Sequence, residues 1–201
     1  SQTTSSDQMW TEVRSDINSV QELQVLINNA GTTPTKIFLN KDIKLLMPYN
    51  ENSPSGLSID EGQTIYLTST EGNTFKIDIS ESGSSIKAVI QVKEGGILYT
   101  GNIILTGGDR TTDAGGGGGV LLGVGPQVTD KGAIFHMNEG TIITGNKAGF
   151  GGGVYISEGS EFHMHGGEIS ENSITKGVSL DLEALNFIFI MAIFEITRLL
   201  V

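Results

Sequence analysis

The chain is predicted to fold as an all-β parallel solenoid with one short N-terminal helix, and three observations carry that expectation. Short β-type runs such as "TIYLTS", "FKIDI", "IKAVIQV", "NIILT" and "TIITG" follow one another from Lys36 onward, separated by Gly, Asn, Ser and Asp. Two blocks align almost residue for residue: "FHMNEGTIITGNKAGFGGG" begins at Phe135 and "FHMHGGEISENSITKG" begins at Phe162, 27 residues later. Self-similarity at that period marks a stacked coil rather than a closed globule. Glu-Gly pairs recur beyond apolar segments at Glu61-Gly62, Glu94-Gly95, Glu139-Gly140 and Glu158-Gly159. Glycine suits such corners because positive backbone angles are costly for other residues.

Element by element, Ser1 to Asp7 is polar and without the charged and apolar regions of a signal peptide, so residues 1–18 read as a polar linker, either a cytosolic N-terminus or the stretch that processing leaves. Residues 19–31 read as the capping helix. Ser19 and Glu22 have capping-box spacing, Val20, Leu23, Leu26 and Ile27 share a face, and Gly31 stops the helix. Residues 32–176 form the β-helix. Within it Phe135 and Met137 stack under Phe162 and Met164, His136 and His163 point outward, and Asn146 lies under Asn172 in an internal amide ladder. The spaced leucines of a leucine-rich repeat are missing, and a hairpin sandwich would not repeat residue identities from coil to coil.

Composition narrows the function. Of 201 residues 28 are Gly, about twice the ordinary ~7%. The formal charge is −11 with no basic cluster, which argues against nucleic acid and anionic membranes. With no Cys there is no disulfide, thiolate zinc site or thiol nucleophile. No cofactor is implied.

His136, His163 and His165 form the best chemical cluster: His163 and His165 share a strand face, and His136 lies one coil below, about 5 Å away by strand spacing. Three imidazoles so placed are candidate metal ligands, although an exposed polar ladder on a solenoid face is the favoured reading. Glu161 and Glu168 are near them in the chain. The acids Asp60, Asp78, Asp109, Asp113 and Asp130 are scattered. The one tight grouping, in "GGDRTTDAGGGGG", reads as a flexible Gly-rich loop inserted between coils. Gly115 to Gly119 lack a phosphate-loop continuation, and the Asp does not recur as a calcium nonapeptide requires. Tyr66, Tyr99 and Tyr155 are ordinary strand residues or outward aromatics able to stack on sugars.

The blocks Gly151 to Asn172 and Glu139 to Tyr155, with their G-x-I-x-x-N and G-G-G-V-Y motifs, resemble the repeats of bacterial surface right-handed β-helix proteins, adhesin-like and autotransporter-passenger-like. The resemblance is strong over about residues 130–176. It implies a right-handed, single-stranded parallel β-helix, export to the cell surface or beyond, and a non-enzymatic module that binds a glycan or protein partner. Polysaccharide lyases and glycoside hydrolases share the fold, so a carbohydrate-active enzyme is the alternative; it needs several charged groups converging in one groove. Self-association through a free solenoid end is a further expectation.

Residues 177–201 break the pattern. Another "GGGVY" is due, and "GVSLDLEALNFIFIMAIFEITRLLV" stands there instead. Ala184 to Val201 approach the ~20 residues of a membrane span but contain Asn186, Glu195 and Arg198, so no span is expected. Read with each codon shifted to the third base of one residue and the first two of the next, Met191-Ala192 forces Gly. Asn186-Phe187 gives Phe or Leu, while Phe187-Ile188 and Phe189-Ile190 give Tyr or His. Ile193-Phe194 gives Ile, Leu or Phe, Glu195-Ile196 gives Asp or Asn, and Ile196-Thr197 permits Asn. With a shift of 24 these fall on Gly167, Phe162, His163, His165, Ile169, Glu171 and Asn172. The tail therefore reads as a frameshifted coil, with an amphipathic capping helix as the alternative. The nucleotide sequence across Lys176 to Val178 decides between them: an early stop, or no coil pattern, in the shifted frame rejects the slip.

Overall fold

The computed structural model describes residues 9–47, 49–82, 87–112, 116–123 and 132–175. The expected tail at 177–201, Asp113, Asp130 and the first residues of the linker lie outside the described residues.

The fold is an all-β parallel solenoid of about 4 turns with one short helix, as expected. The first turn carries β1 (Thr11–Val13), α1 (Val20–Ala30), β2 (Thr35–Leu39), β3 (Ile43–Lys44) and β4 (Ser55–Ile59). The second carries β5 (Thr64–Ser69), β6 (Phe75–Asp78), a 3-10 turn at Ser80–Ser82 and β7 (Ala88–Val92). The third carries β8 (Ile97–Thr100), β9 (Ile103–Thr106), β10 (Asp109–Arg110) and β11 (Val120–Leu122). The fourth carries β12 (Ile134–Met137), β13 (Thr141–Thr144), β14 (Lys147–Ala148) and β15 (Val154–Ile156), and β16 (Glu161–Met164), β17 (Glu168–Ser170) and β18 (Ser173–Ile174) begin a fifth.

Each strand pairs in parallel with its counterpart one coil away, so four sheets run along the stack. The longest has the order β1-β2-β5-β8-β12-β16; the others are β3-β6-β9-β13-β17, β4-β7-β11-β15 and β10-β14-β18. Strand side chains alternate between faces, so register converts sequence directly into columns. Ile65, Leu98, Phe135 and Phe162 make one inward column, and Leu57, Ile90, Val120 and Val154 make another. Phe135 is fully buried and stacks on Phe162 with ring centroids 5.1 Å apart. Met137 lies beside Met164 and His136 beside His163, in the expected register.

Helix α1 closes the N-terminal end. The Ser19 hydroxyl accepts from Glu22 N–H at 3.1 Å, the Glu22 carboxylate accepts from Asn18 N–H at 2.7 Å, and Gly31 ends the helix at φ 55°. Val20, Leu23 and Ile27 are buried against the core, and Leu26 is half-buried on it. The stretch before the helix is a correction. Residues 1–18 were expected to be a linker, yet Thr11–Val13 pair with Thr35, Lys36 and Ile37, and Ile17 is fully buried. Val13 packs on the core beside Ile37 while Trp10 packs on the outer face against Tyr66 and Tyr99, and these contacts with the parallel ladder to β2 add a strand to the sheet.

Two devices shape the corners. Asn146 is fully buried, and its Oδ1 accepts from Gly108 N–H at 2.9 Å while its Nδ2 donates to Leu105 O, Thr144 O and Asn172 Oδ1 at 3.0–3.1 Å. Asn172 Nδ2 in turn donates to Ile143 O at 2.8 Å, so the expected amide ladder is present. The second device replaces the expected flexible loop. Gly116 to Gly119 are buried, with Val89 N–H and Ile90 N–H donating to Gly118 O and Gly119 O. Gly119 N–H and Val120 N–H donate to Gly152 O and Gly153 O at 3.0 and 2.8 Å. A Cβ on Gly119 would lie 2.5 Å from Gly153 O and 2.6 Å from Ile143 Cγ2, so only glycine lets the two turns approach. The glycine run is a packed wall between coils.

Removal of an inward stacking partner opens a cavity that neighbouring coils hold rigidly. Phe135→Ala is expected to cost about 3–5 kcal/mol in chemical denaturation, whereas Val25→Ala, on the exposed side of α1, stays within ~0.5 kcal/mol. Asn146→Ala, which strands Gly108 N–H and two carbonyls in the interior, is expected to cost about 3 kcal/mol, and a loss under ~1 kcal/mol would remove the ladder's structural role.

Candidate functional site: the outer face of the longest sheet

The register that stacks the core also stacks what points outward. Glu12, Lys36, Tyr66, Tyr99, His136 and His163 form one outward column across six strands. Tyr66 and Tyr99 have centroids 5.9 Å apart, Tyr99 and His136 stack at 4.4 Å, and His136 and His163 stack at 4.7 Å. Trp10 packs edge-on to both tyrosines at 5.5 and 5.3 Å. The column is a continuous strip of rings.

At its C-terminal end the three histidines come together as the sequence suggested. His136 Nδ1 lies 3.2 Å from His165 Nε2, and His163 Nε2 lies 2.8 Å from Glu161 Oε2. The rings are almost parallel, with interplanar angles of 6–14°. A metal is bound through lone pairs in the ring plane, and stacked parallel rings direct those lone pairs past one another rather than to a point. Among the described residues no three His, Cys, Asp or Glu are arranged to hold a metal ion.

At the other end, Arg14 lies 3.7 Å above the Phe38 ring and makes a bidentate pair with Glu71, at 2.6 and 3.0 Å, which holds the Glu71 carboxyl down at about 2. Lys36 lies 4.6 Å over Tyr66. Burial pushes both tyrosine hydroxyls above their ordinary range.

The remaining candidates stand elsewhere. Tyr155 pairs with Leu121 on another sheet and covers Gly116, where an added Cβ would lie 2.1 Å from its ring. Asp60 pairs with Lys93 at 2.7 Å, the Asp78 carboxylate accepts from Ser80 N–H, and the Asp109 carboxylate accepts from Thr111 N–H and hydroxyl. Arg110 is buried and donates to Gly116 O at 3.0 Å, binding a corner rather than lining a groove. Trp10 is a member of this site that sequence reasoning does not find, because the polar stretch around it gives no sign of the strand that carries it to the sheet edge.

No family model, curated protein or solved structure matches the chain. Among the described residues, no helix is long and apolar enough to cross a membrane. The class of protein is therefore given by the fold, a parallel β-solenoid.

The histidine stack makes stability depend on pH. Partial burial lowers the His136 pKa, and the positive charges of His163 and His165 lower it further, against a smaller raising effect of Glu161. A group that is harder to protonate folded than unfolded leaves stability intact above its unfolded pKa, near ~6.5, and erodes it as pH falls through the folded value. Glu71, Asp16 and Asp60 are held low by their cationic partners, and their contributions fade only in the carboxylate range below. Thermal melts from pH 7.5 to 5 are thus expected to show a falling Tm, and His136→Gln to flatten that slope. An unchanged slope in the variant would assign the effect elsewhere.

Proposed function

We propose that the chain is a non-enzymatic, exported surface module of adhesin-like type, and that the ring column of the longest sheet is its contact face for a glycan. One observation carries the reading: Trp10, Tyr66, Tyr99, His136 and His163 hold one another in place on a single face. Side chains already immobilised by their neighbours lose little freedom on binding, so their contacts are realised with less entropic cost.

The chemistry of the face supports a hydroxyl-rich partner. The rings use their π faces on one another, so they offer solvent their edges, which carry phenol and imidazole hydrogen-bonding groups at the ~4.8 Å spacing of the strands. A linear polysaccharide presents hydroxyls in a comparable row. The charge of −11 favours neutral or cationic glycans over polyanionic ones. Export is consistent with a fold whose register does the work of cross-links, and the G-G-G-V-Y repeats resemble those of bacterial surface proteins.

An immobilised glycan array covering neutral, amino and uronic sugars tests the reading, with a polysaccharide lyase and hydrolase assay run in parallel. A neutral or amino glycan is expected to bind, and Tyr99→Ala with His136→Ala to weaken it by about tenfold or more, equivalent to ~1.4 kcal/mol, with unchanged circular dichroism. Turnover of any polysaccharide, or binding indifferent to the double substitution, would overturn it.

A further inference from the structure

The C-terminal face of the stack is shaped to receive another turn. Phe135, Met137 and Ile143 are fully buried, while Phe162, Met164 and Ile169, next in the same columns, are only partly so. Ala148 is fully buried and its neighbour Ile174 is 37% exposed. The amide ladder points the same way. Gly108 N–H donates to Asn146 Oδ1, and Asn146 N–H donates to Asn172 Oδ1 at 3.0 Å, so the next rung requires a side-chain carbonyl above Asn172 N–H.

We infer that this face is the seat of one further coil of the same kind, encoded in the shifted frame of the codons for residues 176–201. The genetic code makes the agreement independent of codon choice where it matters. Over Phe162 the shifted frame gives Phe or Leu; over Met164, from Ile188-Phe189, it gives only Ile, Leu or Phe; over Ile169 it gives only Ile, Leu or Phe. Over His163 and His165 it gives only Tyr or His, and over Gly167 only Gly. The forced alternation of apolar with Tyr or His is the alternation of β16 itself, in phase with its inward and outward sides. Over Asn172 the frame permits Asn, the residue the ladder requires. A constant shift of 24 places all of these together, as one coil in register must. The added turn would complete three apolar columns and extend the ring column past His163.

The inference is independent of the glycan reading and meets two tests. First, the codon of Phe194 is decisive: followed by the Glu195 codon, TTC gives Arg and TTT gives a stop. The expected codon is TTC; TTT ends the shifted frame before the asparagine and overturns the inference. Second, the full chain is compared with one whose residues from 177 onward are replaced by the shifted-frame translation. The replaced chain is expected to be monomeric, to melt about 5 °C or more higher, and to slow exchange of the Asn172 amide by at least about a hundredfold. Replacing the asparagine at position 196 of that chain with alanine should reverse the Asn172 protection. Equal melting and exchange in the two chains, or pairing of two copies through this face in both, would overturn the inference.

Discussion

Vertical register is the constraint on which the rest of the structure depends. Hydrogen bonds between successive coils hold the strands about 4.8 Å apart and leave no freedom to slide. Each side chain is therefore placed directly over its counterpart, and the protein must choose residues that tolerate their own kind as neighbours. Inside, that selects aliphatic and aromatic columns; at the corners, it selects Asn over Asn and Gly over Gly. Changes in coil length have to be absorbed between strands. The partners Thr35 and Ile65 are 30 residues apart, Leu98 and Phe135 are 37, and Phe135 and Phe162 are 27, yet the longest sheet keeps its register throughout.

That variation explains what could be read from the sequence. The last two coils share identities as well as pattern, so Phe-His-Met over Phe-His-Met, the outward histidines and the Asn ladder were legible. Helix α1 was legible because Ser19 and Gly31 bracket an amphipathic run. Earlier coils keep only apolar character, and their spacing drifts, so Tyr66 and Tyr99 could not be placed in the histidine column. The glycine wall was misread for a related reason. Gly116 to Gly119 stack on Phe150 to Gly153 at a separation of 34, a different period from the 27 that links the Phe-His-Met strands. A second period in the same coils looks like an insertion until the corners are seen to differ in length on each side.

Buried polar groups show how the turns are held where columns cannot do it. Lys87 is 1% exposed, and its ammonium donates to Asn50 O, Glu51 O and Ser53 O at 2.5–3.3 Å. Burial lowers its pKa, so the three carbonyls compensate a charge that the interior disfavours. In exchange the loop ahead of β4 is tied to the second coil. Thr141 and Thr100 make a smaller version, hydroxyl to hydroxyl at 3.0 Å, joining β13 of one sheet to β8 of another in the interior. A lone lysine in an apolar sequence context gives no advance sign of such a role, because its partners are main-chain atoms.

The same constraint acts on the outer face and accounts for its character. A column that repeats one charge would place like charges ~4.8 Å apart in coil after coil. The chain carries −11, and several of its acids are offset by cations: Asp16 by Lys41, Asp60 by Lys93, Glu71 by Arg14, Glu81 by Lys44. The longest outward column begins Glu12, Lys36 and then turns neutral and aromatic. Neutral rings gain from being stacked on their own kind, so they are the outward residues a strict register favours. Histidine satisfies this rule only while uncharged. His136, whose pKa burial and its histidine neighbours lower, therefore gives the end of the column a ring whose stacking depends on protonation, in contrast to the Trp and Tyr rings at its start.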